Sequence, residues 1–355
     1  MKKAVLALLS IAIISGCRQN DPASFMAFRD VIQAKEFPVK VTLKNAEKVP
    51  ISTIGAKDIR IQDSLLFIAA NRDSGFISIF SLPSLERKGS FIKKGNGPGE
   101  LLFFPFFSNV SFCNEGGNMI ISLFDARGKS FNFYVNESMK DGTSCISSGI
   151  QLPSAQIMTC YDLGNGRFFC RSLSGNMDAQ RRYIHEETGD IETQAMGRLN
   201  KAVVPKSSDG LLFNALSSFT QINHEKMIAV EASTMMNTIN VYKIDSLFAK
   251  TICIGKKVDK IKDICKDGAA GLKQKNFDLK TYENGFGVLN SDGESNSPKS
   301  VLLFDWECRP VAKFELTNAA SAFDIDWINH ALYTYDMASE TLLKYDISDY
   351  ITTKQ

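Results

Sequence analysis

The chain has 355 residues, of which 44% are hydrophobic, 10% aromatic and 23% charged; that is ample for a large core and too apolar for a disordered protein. Its 41 Lys and Arg become 39 if Lys2 and Lys3 leave with a cleaved leader, against 39 Asp and Glu. A neutral chain has no global field with which to gather nucleic acid or hold a membrane by charge, so neither is expected to be a partner on that basis.

Residues 1–17 carry Lys2-Lys3, an apolar run over 4–14, and Ser15-Gly16-Cys17. A positive start, a short apolar core and small residues before a cleavage point make an export signal. The run falls short of the roughly 20 residues that span a bilayer. Ile14-Ser15-Gly16-Cys17 resembles the bacterial lipobox, and the resemblance implies cleavage before Cys17 and fatty acylation of its thiol, palmitate being the typical chain. At about 0.8 kcal/mol per buried methylene a single chain anchors only marginally, so more than one is expected. Inner-membrane lipoproteins often carry Asp after the cysteine; Arg18 therefore implies the outer membrane, with the side it faces left open. The expected division is a signal peptide over 1–16, a tether over 17–36 and one domain over 37–350.

Beyond the leader, short β-rich runs alternate with Gly, Asn, Asp and Ser turns, which argues an all-β fold. A unit of strand, tight turn, strand, loop, strand and often a fourth strand recurs six times. Its second strands are Leu65-Leu66-Phe67-Ile68-Ala69, Met119-Ile120-Ile121-Ser122-Leu123, Arg167-Phe168-Phe169-Cys170, Met227-Ile228-Ala229-Val230, Phe286-Gly287-Val288-Leu289 and Leu332-Tyr333-Thr334-Tyr335. This rhythm fits a six-bladed β-propeller better than a pair of packed sandwiches. The last unit ends after three strands, and Val39-Lys40-Val41-Thr42-Leu43 alternates as a strand without a unit of its own. It is expected to complete the last blade and lock the ring.

Asp58-Ile59-Arg60, the run through Phe80, and Gly95-Asn96-Gly97-Pro98-Gly99-Glu100 resemble the TolB-like six-bladed propeller lipoproteins of Bacteroides-type bacteria. The resemblance implies the fold and the envelope address, and it transfers no catalytic residue. The glycine segment lacks the Lys-Ser/Thr of a phosphate loop, so it reads as a crossover between blades.

Few residues suggest chemistry. The 3 His have no metal-ligand spacing, and no Gly-x-Ser-x-Gly elbow exists. Asp58, Asn109, Asp162, Asn223, Glu283 and Asp324 lie near the ends of innermost strands and are weak candidates to hold Ca or Mg in the central channel, as in sugar lactonases. Cys160 and Cys170 are symmetric about the Gly164-Asn165-Gly166 turn and could face one another as a disulfide or as two thiols. Residues 256–280, with 8 Lys and 4 Asp, place Val258, Ile261, Ile264 and Cys265 at helical spacing and suggest a short amphipathic helix over one face. The loops Asn71-Arg72-Asp73, Asn176-Met177-Asp178 and Ser291-Asp292-Gly293-Glu294 are expected on that same face. Phe103, Phe104, Phe106 and Phe107 are expected in the core; if exposed, they would suit a glycan.

The leading expectation is a non-enzymatic binding or scaffolding lipoprotein of the cell envelope, without a cofactor, meeting a protein or glycan on a propeller face. The alternative is a lactonase-like or other hydrolase with a divalent cation in the channel.

Overall fold

The computed structural model describes residues 21–351, apart from 126, 148, 153–156, 206–211 and 292–298. Three strands come first: β1 (Val31–Ala34), β2 (Val39–Leu43) and β3 (Glu47–Val49). Blade one holds β4 (Ala56–Gln62), β5 (Leu65–Ala70), β6 (Ile77–Ser81) and β7 (Arg87–Phe91). Blade two has β8 (Ser111–Glu115), β9 (Asn118–Phe124), β10 (Lys129–Tyr134) and β11 (Ile150–Gln151), with helix α1 (Val135–Asp141) between the last two. Blade three is β12 (Ile157–Gly164), β13 (Arg167–Leu173), β14 (Gln180–Glu186) and β15 (Gly189–Ile191), followed by α2 (Gln194–Leu199). Blade four is β16 (Ser218–Asn223), β17 (Ile228–Ser233), β18 (Thr238–Lys243) and β19 (Ala249–Ile254), followed by α3 (Ile261–Ile264). Blade five is β20 (Asn276–Tyr282), β21 (Gly285–Asn290), β22 (Ser300–Asp305) and β23 (Pro310–Leu316). Blade six supplies β24 (Ala322–Asp326), β25 (Ala331–Asp336) and β26 (Thr341–Asp346).

Six sheets, antiparallel but for a parallel outermost strand on two of them and each with its blade's first strand innermost, make a six-bladed β-propeller. The hairpin turns explain the local register: Asn165 and Gly166 both take positive φ, 54° and 72°, as a two-residue loop between twisted strands requires. Buried side chains collect into six clusters, one between each neighbouring pair of blades. The core is therefore a ring of seams, and what stabilises one seam does little for the seam opposite.

The ring closes through an N-terminal strand in the last blade, but the strand is β3, antiparallel to β26 with Val49 opposite Leu342. The Val39–Leu43 run lies elsewhere: β2 adds a fifth, parallel strand to blade five, with Val39 opposite Ala312 and Leu43 opposite Leu316. Its alternation is real, since Val39, Val41 and Leu43 pack on the blade-five edge cluster while Lys40 and Thr42 face solvent and Glu315. The strand that does close the ring has three residues and one apolar anchor, Val49, which leaves no period to read.

The expected tether is likewise corrected. Met26 and Phe28 are buried in the seam of blades three and four, and β1 forms a parallel fifth strand outside β19. The chain is packed from Asp21 onward, where the Asp21 carboxylate accepts from the Ala23 amide and the Ser24 hydroxyl. The charged insertion does form a helix, of one turn, with Ile261 and Cys265 buried.

Candidate functional site

The first strands line the central channel. Asp58, Asp278 and Asp324 are each third in β4, β20 and β24, and all three are buried. Each carboxylate accepts from the next residue's own amide, at 2.8 Å from Ile59, Leu279 and Ile325. The second oxygen reaches the following blade: Asp58 accepts from the Phe107 amide at 2.8 Å, Asp278 from Phe323 at 3.0 Å, and Asp324 from Ile61 at 2.6 Å. These aspartates staple blade to blade.

Lys280 sits among them. Its Nζ lies 3.1 Å from Asp58 Oδ1 and 3.0 Å from Asp278 Oδ1, with none of its side chain exposed. Arg60 brings Nε to 3.8 Å from Asp324 Oδ2 and donates to the Thr281 carbonyl at 2.9 Å. Its guanidinium stands over the rings of Phe112 and Tyr282, and Tyr282 donates to Asp324 at 2.9 Å. Three buried carboxylates thus share two cations. Burial pushes the Asp278 carboxyl up to about 7 against the pull of Lys280, with Asp58 adding to the rise. Burial alone would lower the Lys280 ammonium, but Asp278 and Asp58 raise it.

The channel is also plugged. A 3-10 turn, Phe107–Asn109, precedes β8 and touches the first strands of blades one, three, four and five. Gln221 donates to its Phe107 carbonyl at 2.8 Å, and Tyr161 donates to its Ser108 carbonyl at 2.7 Å. The plug is fastened by the polar side chains that would otherwise meet a ligand.

The six proposed cation ligands do not converge. Asp58 and Asp324 share the channel wall. Asn109 belongs to the plug; Asp162 accepts from the Gly164 amide within its own hairpin; Asn223 accepts from the Lys226 amide in the next turn; and Glu283 offers its carbonyl to Trp306. The donors that do gather already bind amides and an ammonium. A divalent cation wants six to eight free oxygens, so this set does not fit one. Among the described residues no three His, Cys, Asp or Glu are grouped to hold a metal. At the other end of the first strands, Cys113 and His224 both feel the charge of Asp162. Burial, with Glu115 and Asp162, raises the Cys113 thiol to about 11, the opposite of an activated nucleophile.

A second ionic cluster fills the seam between blades three and four. Arg182 donates from Nε to Glu231 Oε1 at 2.8 Å and from Nη2 to Oε2 at 2.7 Å. Tyr242 donates to Oε1 at 2.6 Å. Arg171 reaches the Ser218 carbonyl at 3.1 Å and the side chains of Thr220 and Gln180. Burial would raise the Glu231 carboxyl, yet Arg182 and Arg171 hold it down at about 2. Neither the cluster nor Asp278 and Lys280 was singled out from sequence. The recurrence of Asp-x-Arg/Lys in Asp58-Ile59-Arg60 and Asp278-Leu279-Lys280 was the available signal.

The phenylalanines separate. Phe107 is buried against Phe67 and Phe112, and Phe104 packs edge-on to Phe106 at 4.7 Å and to Phe76. Phe103 is 70% and Phe106 41% exposed, so two rings stand out beside the plug. The glycine segment is a closed turn: Glu100 accepts from the Gly97 amide at 2.8 Å, Gly99 takes φ +72°, and Arg127 donates to the Asn96 and Glu100 carbonyls. Cys160 and Cys170 lie directly opposite on β12 and β13, their sulfurs 3.5 Å apart and unbonded. Cys17 and most of the 291–294 loop fall outside the described residues.

No family model matches the chain, and no curated protein is similar to it in sequence. The solved structures that share its architecture include two from Bacteroides species. One, a Bacteroides fragilis protein described as exported, is 13% identical, with 89% of this chain and 98% of that one covered and a TM-score of 0.51. Another, a DUF4221 family member from Bacteroides vulgatus, is 8% identical over 86% of this chain and 96% of that one, with a TM-score of 0.54. At such identities the likeness is one of fold.

Proposed function

We propose that the chain is a lipoprotein of the outer membrane, anchored through acylated Cys17, whose propeller is a binding or scaffolding module. The observation that carries this reading is the contrast between the two ends of the plug residues. Inward, Asp58, Asp278 and Asp324 are committed to the fold; outward, Phe103 and Phe106 are presented to solvent. Exposed aromatic rings beside a rigid scaffold are the usual anchors of a protein or glycan partner. The leader and lipobox support the envelope address, as does the export ascribed to the Bacteroides fragilis neighbour. Among the described residues no helix is long and apolar enough to cross a membrane. On this reading the protein carries no resident metal, and the TolB-like resemblance concerns fold and address.

The test is retention of envelope protein and glycan fractions by immobilised protein. Phe103→Ser with Phe106→Ser is expected to lose about 2 kcal/mol or more of binding, roughly thirtyfold, with an unchanged melting temperature. Equal retention by the variant, or none by the parent, contradicts the reading. Cys160 and Cys170 are proposed to form a disulfide after export into an oxidising compartment. Thiol titration in denaturant should then find two thiols fewer in exported protein than in reduced protein; equal counts refute the pairing.

A further inference from the structure

This inference rests on the anchor proposed above. Cys17 lies four residues before Asp21, and an extended chain covers at most about 3.6 Å per residue, so the acylated residue stays within about 14 Å of Asp21. Asp21 is no loose end. The Ala23 carbonyl accepts from the Val203 amide and the Ser24 carbonyl from the Ile261 amide at 3.0 Å, which pins this segment at the perimeter of blades three and four. The anchor can therefore hold this edge of the propeller no farther than about 14 Å from the acylated residue.

The surface around that point suits phospholipid headgroups. On one side Pro22 lines a groove of about 670 Å³ with Arg29, Arg198, Lys201 and Leu247, and Leu247 is 81% exposed. On the other side Lys260 lies 5.9 Å over the Phe25 ring, and Lys256, Lys257 and Lys262 are exposed beside it with no carboxylate at ion-pair distance among the described residues. The acids here are Asp21, Asp30, Glu192, Asp245, Asp263 and Asp259, the last already paired with Lys275 at 2.7 Å. The patch crosses the edge of the disc, because Leu247 lies in the β18–β19 connection on one face while Lys201 and Lys262 lie in blade-to-blade connections on the other.

We infer that this rim, from Leu247 across Pro22 to Lys262, rests on anionic phospholipid headgroups, so that the propeller stands on edge with Phe103 and Phe106 free. The acyl chains supply the affinity; the cations, each worth about as much as a fivefold preference near an anionic surface, set the orientation.

Amine acetylation of the full chain in its native membranes, compared with the same chain in detergent, tests this, with mass spectrometry reading both the lysines and Cys17. Expected is an acylated Cys17, severalfold slower labelling of Lys201 and Lys262 in membranes, and unchanged labelling of the exposed Lys93 and Lys94 of blade one. Acylated Cys17 with equal labelling at all four lysines, or with Lys93 and Lys94 protected instead, overturns the orientation alone. An unmodified Cys17 overturns the anchor and the orientation together.

Discussion

Replacing Glu231 with Gln is expected to cost the fold about 3–5 kcal/mol, the penalty for leaving buried cations without their anion. Among the described residues Glu231 is the one carboxylate facing both Arg182 and Arg171, all three fully buried, and the amide keeps its shape while removing its charge. Urea unfolding at neutral pH reads the loss as a lower midpoint with unchanged slope. Pairing the change with Arg182→Met should recover part of it, because removing both partners of a buried pair is far milder than removing one. A loss under about 1 kcal/mol would mean the seam tolerates an uncompensated guanidinium, against this account. The wild-type cluster also sets an acid limit. A carboxyl held at about 2 in the folded state, below its unfolded value, stabilises the protein above that unfolded value and ceases to do so as pH falls toward 2.

Lys280→Met should be comparably severe, about 3–5 kcal/mol at pH 8, because Asp58 and Asp278 lose the ammonium they share. Its pH dependence has the opposite sign. Asp278 already sits near 7 through burial, so the folded state binds a proton that the unfolded state releases. Its contribution therefore becomes less favourable as pH rises from its unfolded value through 7. Without Lys280 this slope should steepen, and the difference between variant and parent should shrink as pH falls from 8 to 5. A penalty that is constant over that range would show that the variant's cost is packing and not charge.

The fold was legible because apolar runs and Gly/Asn turns recur at one spacing, and six seams need six such units. Val39–Leu43 was legible as a strand but not as a partner. Alternation reports one buried face and is silent on which edge covers it, so β2 and β3 could not be told apart by role. The packed N-terminal segment was hidden for a related reason: Met26 and Phe28 belong to a run of four apolar residues, Phe25-Met26-Ala27-Phe28, too short to show a period. The channel was half legible. Asp58 and Asp324 were placed near innermost strands, but a carboxylate that staples backbone amides looks identical in sequence to one that binds a cation. What distinguishes them is the company of the Phe107 amide and Lys280 at Asp58 and of the Ile61 amide at Asp324, each distant in the chain from the carboxylate it meets. Phe103 and Phe106 were misplaced in the core because four phenylalanines within five residues read as one apolar run, whereas the turn into the plug sends only Phe107 fully inward.

The central claim is that the channel is a sealed structural seam and that function lies on the outer surface. Calorimetric titration of the soluble chain, starting at Arg18, with Ca²⁺ and Mg²⁺ tests it most directly. The account predicts no saturable heat and no shift in melting temperature for either ion. One-site binding that disappears in Asp278→Asn would contradict it and return the channel to catalysis.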